Sequence, residues 1–86
     1  MTDLRDEFEQ ASAAVKRLAV RPDNDTLLKL YALYKQATLG DLRQAQPGFF
    51  DFVGVAKHAA WAALSGVSKT DAMRRYIDLV QQLRAS

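Results

Sequence analysis

Tyr31, Tyr34 and Lys35 stand at positions i, i+3 and i+4 of one segment. On a helix, at about 100° per residue, they share an arc with Leu27 and Leu28, while Leu30, Leu33 and Ala37 fall on a different one. One apolar stripe is enough to hold a small surface helix to its core. A second stripe, aliphatic and aromatic with a cation set into it, suits a ligand that is part apolar chain, part flat ring and part anion. The chemistry on offer is recognition. An aromatic face stacks a base for about 1–3 kcal/mol. Hydrogen bonds to a charged group contribute about 1.5–3 kcal/mol each, and every buried methylene of a chain adds about 0.8 kcal/mol.

Catalysis has little to work with. His58 is the single histidine and cysteine is absent, so there is no thiol nucleophile, no disulfide and no His- or Cys-based zinc site. The same helical face puts His58 beside Val55, Trp61 and Ala62, which reads as a packing or surface histidine. The stretch from Asp41 to Asp51 lacks the alternating acids and closing glutamate of an EF-hand. No glycine loop cradles phosphates. No enzyme activity, cofactor or metal is expected.

The elements that must position these residues are helices. Leu4, Phe8, Ala11, Val15 and Leu18 recur at spacings of three and four, which predicts a helix from near Asp3 that Pro22 ends. Asn24 or Asp25 caps the second, which runs to about Leu39 with Gly40 just past its end. Asp41 to Asp51 is a connection with Pro47-Gly48 at its centre. Because Phe49, Phe50 and Phe52 lie at its end, it is expected to pack, with those rings and Trp61 in the core. A third, alanine-rich helix follows from Phe52 or Val53 to Leu64, closed by Gly66. Ser68 to Asp71 resembles a capping box, and Ala72, Met73, Tyr76, Ile77, Val80 and Leu83 give the fourth helix its stripe. The fold class is all-α, a four-helix bundle.

The 86 residues are 49% hydrophobic and 26% charged, an ordinary globular balance for one domain over residues 1–86. A net charge of +2 is too weak to argue for nucleic acid. The first residues through Glu9 are acidic, unlike a signal peptide, and the longest apolar run, Ala59 to Leu64, is too short to span a bilayer. A soluble cytoplasmic protein is expected. No acid occurs from Thr26 to Gly40 or from Phe52 to Thr70, whereas Lys29, Lys35, Lys57 and Lys69 do.

Several motifs in fixed order carry a more specific message. The run Tyr31-Ala-Leu-Tyr34-Lys35-Gln-Ala-Thr-Leu-Gly40-Asp41 is followed by Pro47-Gly48 and by Gly54-Val-Ala-Lys57. Ala60-Trp61 comes next, and Gly66-Val-Ser68 leads to Asp71-Ala-Met and Tyr76-Ile77. From roughly Phe8 to Leu83 this pattern resembles the acyl-CoA-binding protein (diazepam-binding inhibitor-like) family. The resemblance implies a bundle of that family's type and a non-enzymatic carrier and pool buffer of medium- to long-chain fatty acyl-coenzyme A. It implies that Tyr31, Lys35 and Lys57 hold the 3′-phosphate, and that Tyr34 lies against the adenine. Tyr76 would contact the ligand from the far side of the groove. Lys16 matches a further ligand-contacting lysine, and Leu27 and Leu28 match the acyl path. A monomer is expected, in transient contact with membranes and acyl-CoA-using enzymes, with no nucleic-acid partner.

Many members of that family read Lys-Gly-Lys-Ala-Lys-Trp where this chain has Val53-Gly54-Val55-Ala56-Lys57-His58. With two cations replaced by valine, the expectation is a headgroup interaction that is weaker and less salt-dependent, and a larger share of affinity from the acyl chain. The competing expectation is a divergent interaction module whose Tyr/Leu stripe docks a peptide helix and ignores coenzyme A.

Overall fold

Each helix is opened by a short polar side chain that spends its oxygen on the backbone three residues ahead. In the computed structural model, which describes residues 3–85, Asp3 accepts from the Asp6 N–H and starts α1, Leu4–Val15. Asp23 accepts from Thr26 N and starts α2, Asn24–Leu39. Asp51 accepts from Gly54 N ahead of α3, Phe52–Ala62. Ser68 Oγ accepts from Asp71 N at the start of α4, Lys69–Ala85. These are the four expected helices, and the described residues contain no strand.

The boundaries differ from the expected ones in three places. α1 ends at Val15 with Lys16 as its cap, well before Pro22, so Leu18 lies in the turn beyond the helix. The cap of α2 is Asp23 rather than Asn24 or Asp25, because only Asp23 has the extended backbone that lets its carboxylate turn back onto Thr26. α3 stops at Ala62 and gives way to a turn that reaches Gly66. Gly40 and Gly66 have φ values of 82° and 90°, a region that side-chain-bearing residues rarely adopt. At Gly40 this lets the chain leave α2 while its own N–H still bonds the Gln36 carbonyl at 3.1 Å.

The core forms where α4 packs against both α1 and α2. Phe8, Ala11, Leu30, Leu33, Ala37, Ala72, Tyr76, Ile77 and Val80 are buried there, as the arcs of α2 and α4 predict. α3 packs only on α2. Tyr31 meets Lys57, and further along both helices Gln36 meets Trp61, so α2 and α3 run in the same direction. The connection from Asp41 to Asp51 must therefore travel back along the outside.

That geometry corrects one expectation. Trp61 is buried, but Phe49, Phe50 and Phe52 are 73%, 78% and 76% exposed. The physical reason is that α3 has one helical neighbour, so its first turn and the turn ahead of it have no second layer to pack against. The connection is not packed by its rings; most of its side chains are exposed. His58, half-buried, holds it with Nε2 3.1 Å from the Gln44 carbonyl oxygen. A carbonyl only accepts, so this nitrogen carries the proton.

Candidate binding site

The parallel packing of α2 on α3 leaves an open groove of about 420 Å³, within the usual size range of small-molecule sites. Leu27, Leu28 and Tyr31 line one wall, and Phe52, Val53, Ala56 and Lys57 the other. Arg21 and Asn24 close the end at the start of α2. At the opposite end two lysines converge on one ring. Lys57 Nζ is 5.1 Å from the Tyr31 centroid and Lys35 Nζ is 5.7 Å from it, with Lys35 also 5.9 Å from the Trp61 ring. Each distance is within cation–π range. Among the described residues neither lysine forms an ion pair with a carboxylate. An unpaired pair of cations beside a phenol, at the head of an apolar groove, offers charge to an anion and an apolar wall to a tail.

The register of this pair is set by polar bonds behind it. Gln36 has no solvent exposure. Its Nε2 donates to the Val67 carbonyl at 2.7 Å and to Asp41 at 2.8 Å, and its Oε1 accepts from Trp61 Nε1 at 3.2 Å. Trp61 Nε1 also donates to the Gly40 carbonyl at 2.9 Å, and Asp41 accepts from Gly66 N at 2.9 Å. The end of α2, the end of α3 and the turn into α4 are thereby joined through one amide. Gln36 and Asp41 belong to the quoted motif, yet spacing alone assigns them no role. The one signal is a glutamine set inside the apolar arc between Leu33 and Ala37.

The predicted residues divide into two groups and one outlier. Leu27, Leu28, Tyr31 and Lys57 line the groove, with Lys35 against Tyr31. Tyr34 turns away to stack on Phe8 at 5.5 Å, and Phe8 meets Tyr76 edge-on at 5.0 Å. Tyr34 and Tyr76 are 6.1 Å apart, so those two share a neighbourhood between α1, α2 and α4. Burial pushes the Tyr76 phenol above its usual value, a hydrogen bond with Ser12 partly opposes this, and nearby Tyr34 adds to the rise. At neutral pH the phenol keeps its proton. Lys16 is exposed at the end of α1 and does not line the groove.

The model of the family described as "Acyl CoA binding protein" matches residues 5–80. This chain belongs to the acyl-CoA-binding protein family. It is 50% identical over 78 residues to Acyl-CoA-binding protein homolog 1 of Caenorhabditis elegans, covering 91% of each chain. It is 49% identical over 78 residues to the Saccharomyces cerevisiae Acyl-CoA-binding protein, covering 91% of this chain and 90% of that one. Among solved structures, Oryza sativa Acyl-CoA-Binding Protein 2 superposes with a TM-score of 0.90 at 42% identity, covering 94% of this chain and 90% of that one. The four-helix architecture is thus that of the acyl-CoA-binding protein fold.

Proposed function

We propose that this protein binds medium- to long-chain fatty acyl-CoA esters reversibly and carries them as a cytoplasmic, monomeric, non-enzymatic buffer of the acyl-CoA pool. Its single acyl-CoA-binding domain extends over residues 1–86. The observation that carries this reading is the convergence of unpaired Lys35 and Lys57 on Tyr31 at the head of the α2–α3 groove. Membership of the acyl-CoA-binding protein family supports it. Two lysine donors and a phenol hydroxyl suit the 3′-phosphate, since charge-assisted bonds are short and strong. Leu27, Leu28, Phe52, Val53 and Ala56 offer the chain an apolar wall. Tyr34, 41% exposed, offers its ring to the adenine. Tyr76 contacts the ligand from the α4 side, and Lys16 adds a peripheral cation. The carrier takes up its ligand from membranes and delivers it to acyl-CoA-using enzymes.

The test is isothermal titration of purified, ligand-free protein with palmitoyl-CoA, with free coenzyme A and palmitate alongside. One-to-one binding of the thioester, with both fragments far weaker, is the expected result. A folded protein that gives no heat with any of the three has lost the ligand, and the Tyr31/Leu27/Leu28 wall becomes a protein-docking face instead.

A further inference from the structure

Lys35 is half-buried, has no carboxylate partner among the described residues, and stands between two rings. Its Nζ is 5.7 Å from the Tyr31 centroid and 5.9 Å from that of Trp61. The two rings differ in kind. Tyr31 lines the groove and also lies under Lys57. Trp61 does not line the groove and is 3% exposed, so a ligand in the groove has no direct use for it.

A long side chain that is free in solvent must be ordered when a ligand binds, which lowers affinity. A carboxylate could hold Lys35 in place, but it would also offset the charge that an anion needs. An indole attracts a cation through its ring quadrupole and adds no charge of its own. The acid nearest to Lys35 in sequence, Asp41, is engaged elsewhere. It accepts from Gln36 Nε2 and from Gly66 N, and Arg43 is the cation that acts on it. The indole is itself pinned, since its Nε1 donates to the Gly40 carbonyl at 2.9 Å and to Gln36 Oε1 at 3.2 Å. Its ring cannot turn away from Lys35 without breaking both bonds. Gln36 follows Lys35 directly in the chain, so one turn of α2 presents the cation and also fixes the ring that faces it.

We infer that Trp61 is a positioning residue for Lys35. Its pinned ring holds that cation charged, unpaired and set at the head of the groove before a ligand arrives. The inference rests on the acyl-CoA reading for the identity of the anion, but its first test needs no ligand. In proton NMR of the ligand-free wild type, the Lys35 ε-methylene protons are expected upfield of those of an exposed lysine. Trp61→Leu is expected to remove part of that shift. Isothermal titration then compares palmitoyl-CoA with palmitoyl-3′-dephospho-CoA. Trp61→Leu is expected to weaken the first about threefold to tenfold, the scale of ordering one long side chain, and to leave the second unchanged. In a Lys35→Met background the same substitution should lose nothing further. Trp61→Phe restores a ring without the N–H. It is expected to regain most of the affinity yet melt below the wild type, because the Gln36 and Gly40 oxygens lose their donor.

Trp61 is the only tryptophan of the chain, so the wild type reports on the contact even where a variant does not fold. Palmitoyl-CoA is expected to change its emission as Lys35 turns to the phosphate, and the dephospho thioester to change it less. Lys35 protons at the position of an exposed lysine overturn the inference. So do equal effects of Trp61→Leu on both thioesters, a further loss in the Lys35→Met background, or an emission that both thioesters change alike. A wild type with a ring-shifted Lys35 that gives no heat with palmitoyl-CoA would instead remove the acyl-CoA reading and leave Trp61 as the residue that holds Lys35.

Discussion

Gln36 accepts the indole N–H of Trp61 at 3.2 Å from a side chain with no solvent exposure. Three chain segments meet at this amide, so its loss exposes more than one bond. In Gln36→Ala the Val67 carbonyl loses the donor that now satisfies it, and a cavity opens beneath Trp61. The expected cost is about 2–4 kcal/mol, read as a fall in Tm on the order of 10–20 °C in a domain of this size. Gln36→Glu carries a distinct signature. It sets a second carboxylate against Asp41, so this variant should regain part of its stability as the pH is lowered toward the carboxylate range. Thermal melts of both variants across pH check this; Tm values within a few degrees of the wild type would mean that the network does not hold the bundle.

The acid limb of the wild type should carry the mark of two carboxylates. The Gly66 N–H, and then the Gln36 amide, hold the Asp41 carboxyl below its ordinary value. Thr26 does the same for Asp23, with a further contribution from the Lys29 charge. A folded pKa below the unfolded one gives stability that is fully present above the unfolded value, about 3.9, and is lost as pH falls through the folded one. Tm is expected to hold from neutral pH to about 5 and to drop below about 4. Asp41→Asn and Asp23→Asn keep an acceptor but cannot titrate, so each should start lower and fall less steeply. Acid limbs that superimpose on the wild type would remove these two groups as the cause.

Much of this arrangement was legible in the residues, and the misses have physical causes. Periodicity places Leu30, Leu33 and Ala37 in the core, and Gly40 marks the end of α2. Both follow from rules that act within one helix. Lys57 beside Tyr31 is a tertiary fact set by the parallel packing of α2 and α3, which no local period encodes; family resemblance alone pointed to it. Tyr34 shares an arc with Tyr31, but it sits at the edge of that arc, where Phe8 and Tyr76 offer its ring a better surface. Phe49, Phe50 and Phe52 mislead because hydrophobicity says what a side chain prefers, not whether a neighbour exists to cover it.

The head of the groove predicts a thermodynamic cycle. Tyr31→Phe, Lys35→Ala and Lys57→Ala should each weaken palmitoyl-CoA about tenfold to a hundredfold, the range for a lost hydrogen bond to a charged group. Lys35 and Lys57 meet at one ring, so the double variant should lose less than the product of the single losses. Palmitoyl-3′-dephospho-CoA should bind the wild type more weakly and bind the three variants about as well as it binds the wild type. Isothermal titration of the five proteins with both thioesters measures every edge. Variants that lose the same factor on the dephospho ligand would place these residues away from the 3′-phosphate.

Val53 and Val55 stand two residues apart in the first turns of α3, and their surroundings separate them. Val53 is 66% exposed and lines the groove on the wall that carries Lys57. Val55 is half-buried and does not line it. A cation at Val53 can reach a bound phosphate through solvent, whereas one at Val55 must first extend away from the groove wall. Val53→Lys is therefore expected to tighten palmitoyl-CoA about twofold to fivefold at low salt, the scale of an exposed ion pair. The gain should disappear as ionic strength rises and screening shortens the reach of the new charge. Val55→Lys should change affinity little at any salt. Titrations of both variants across ionic strength decide the matter. A larger gain at Val55, or an unchanged salt slope at Val53, would mean that the ligand's phosphates lie on another face of α3.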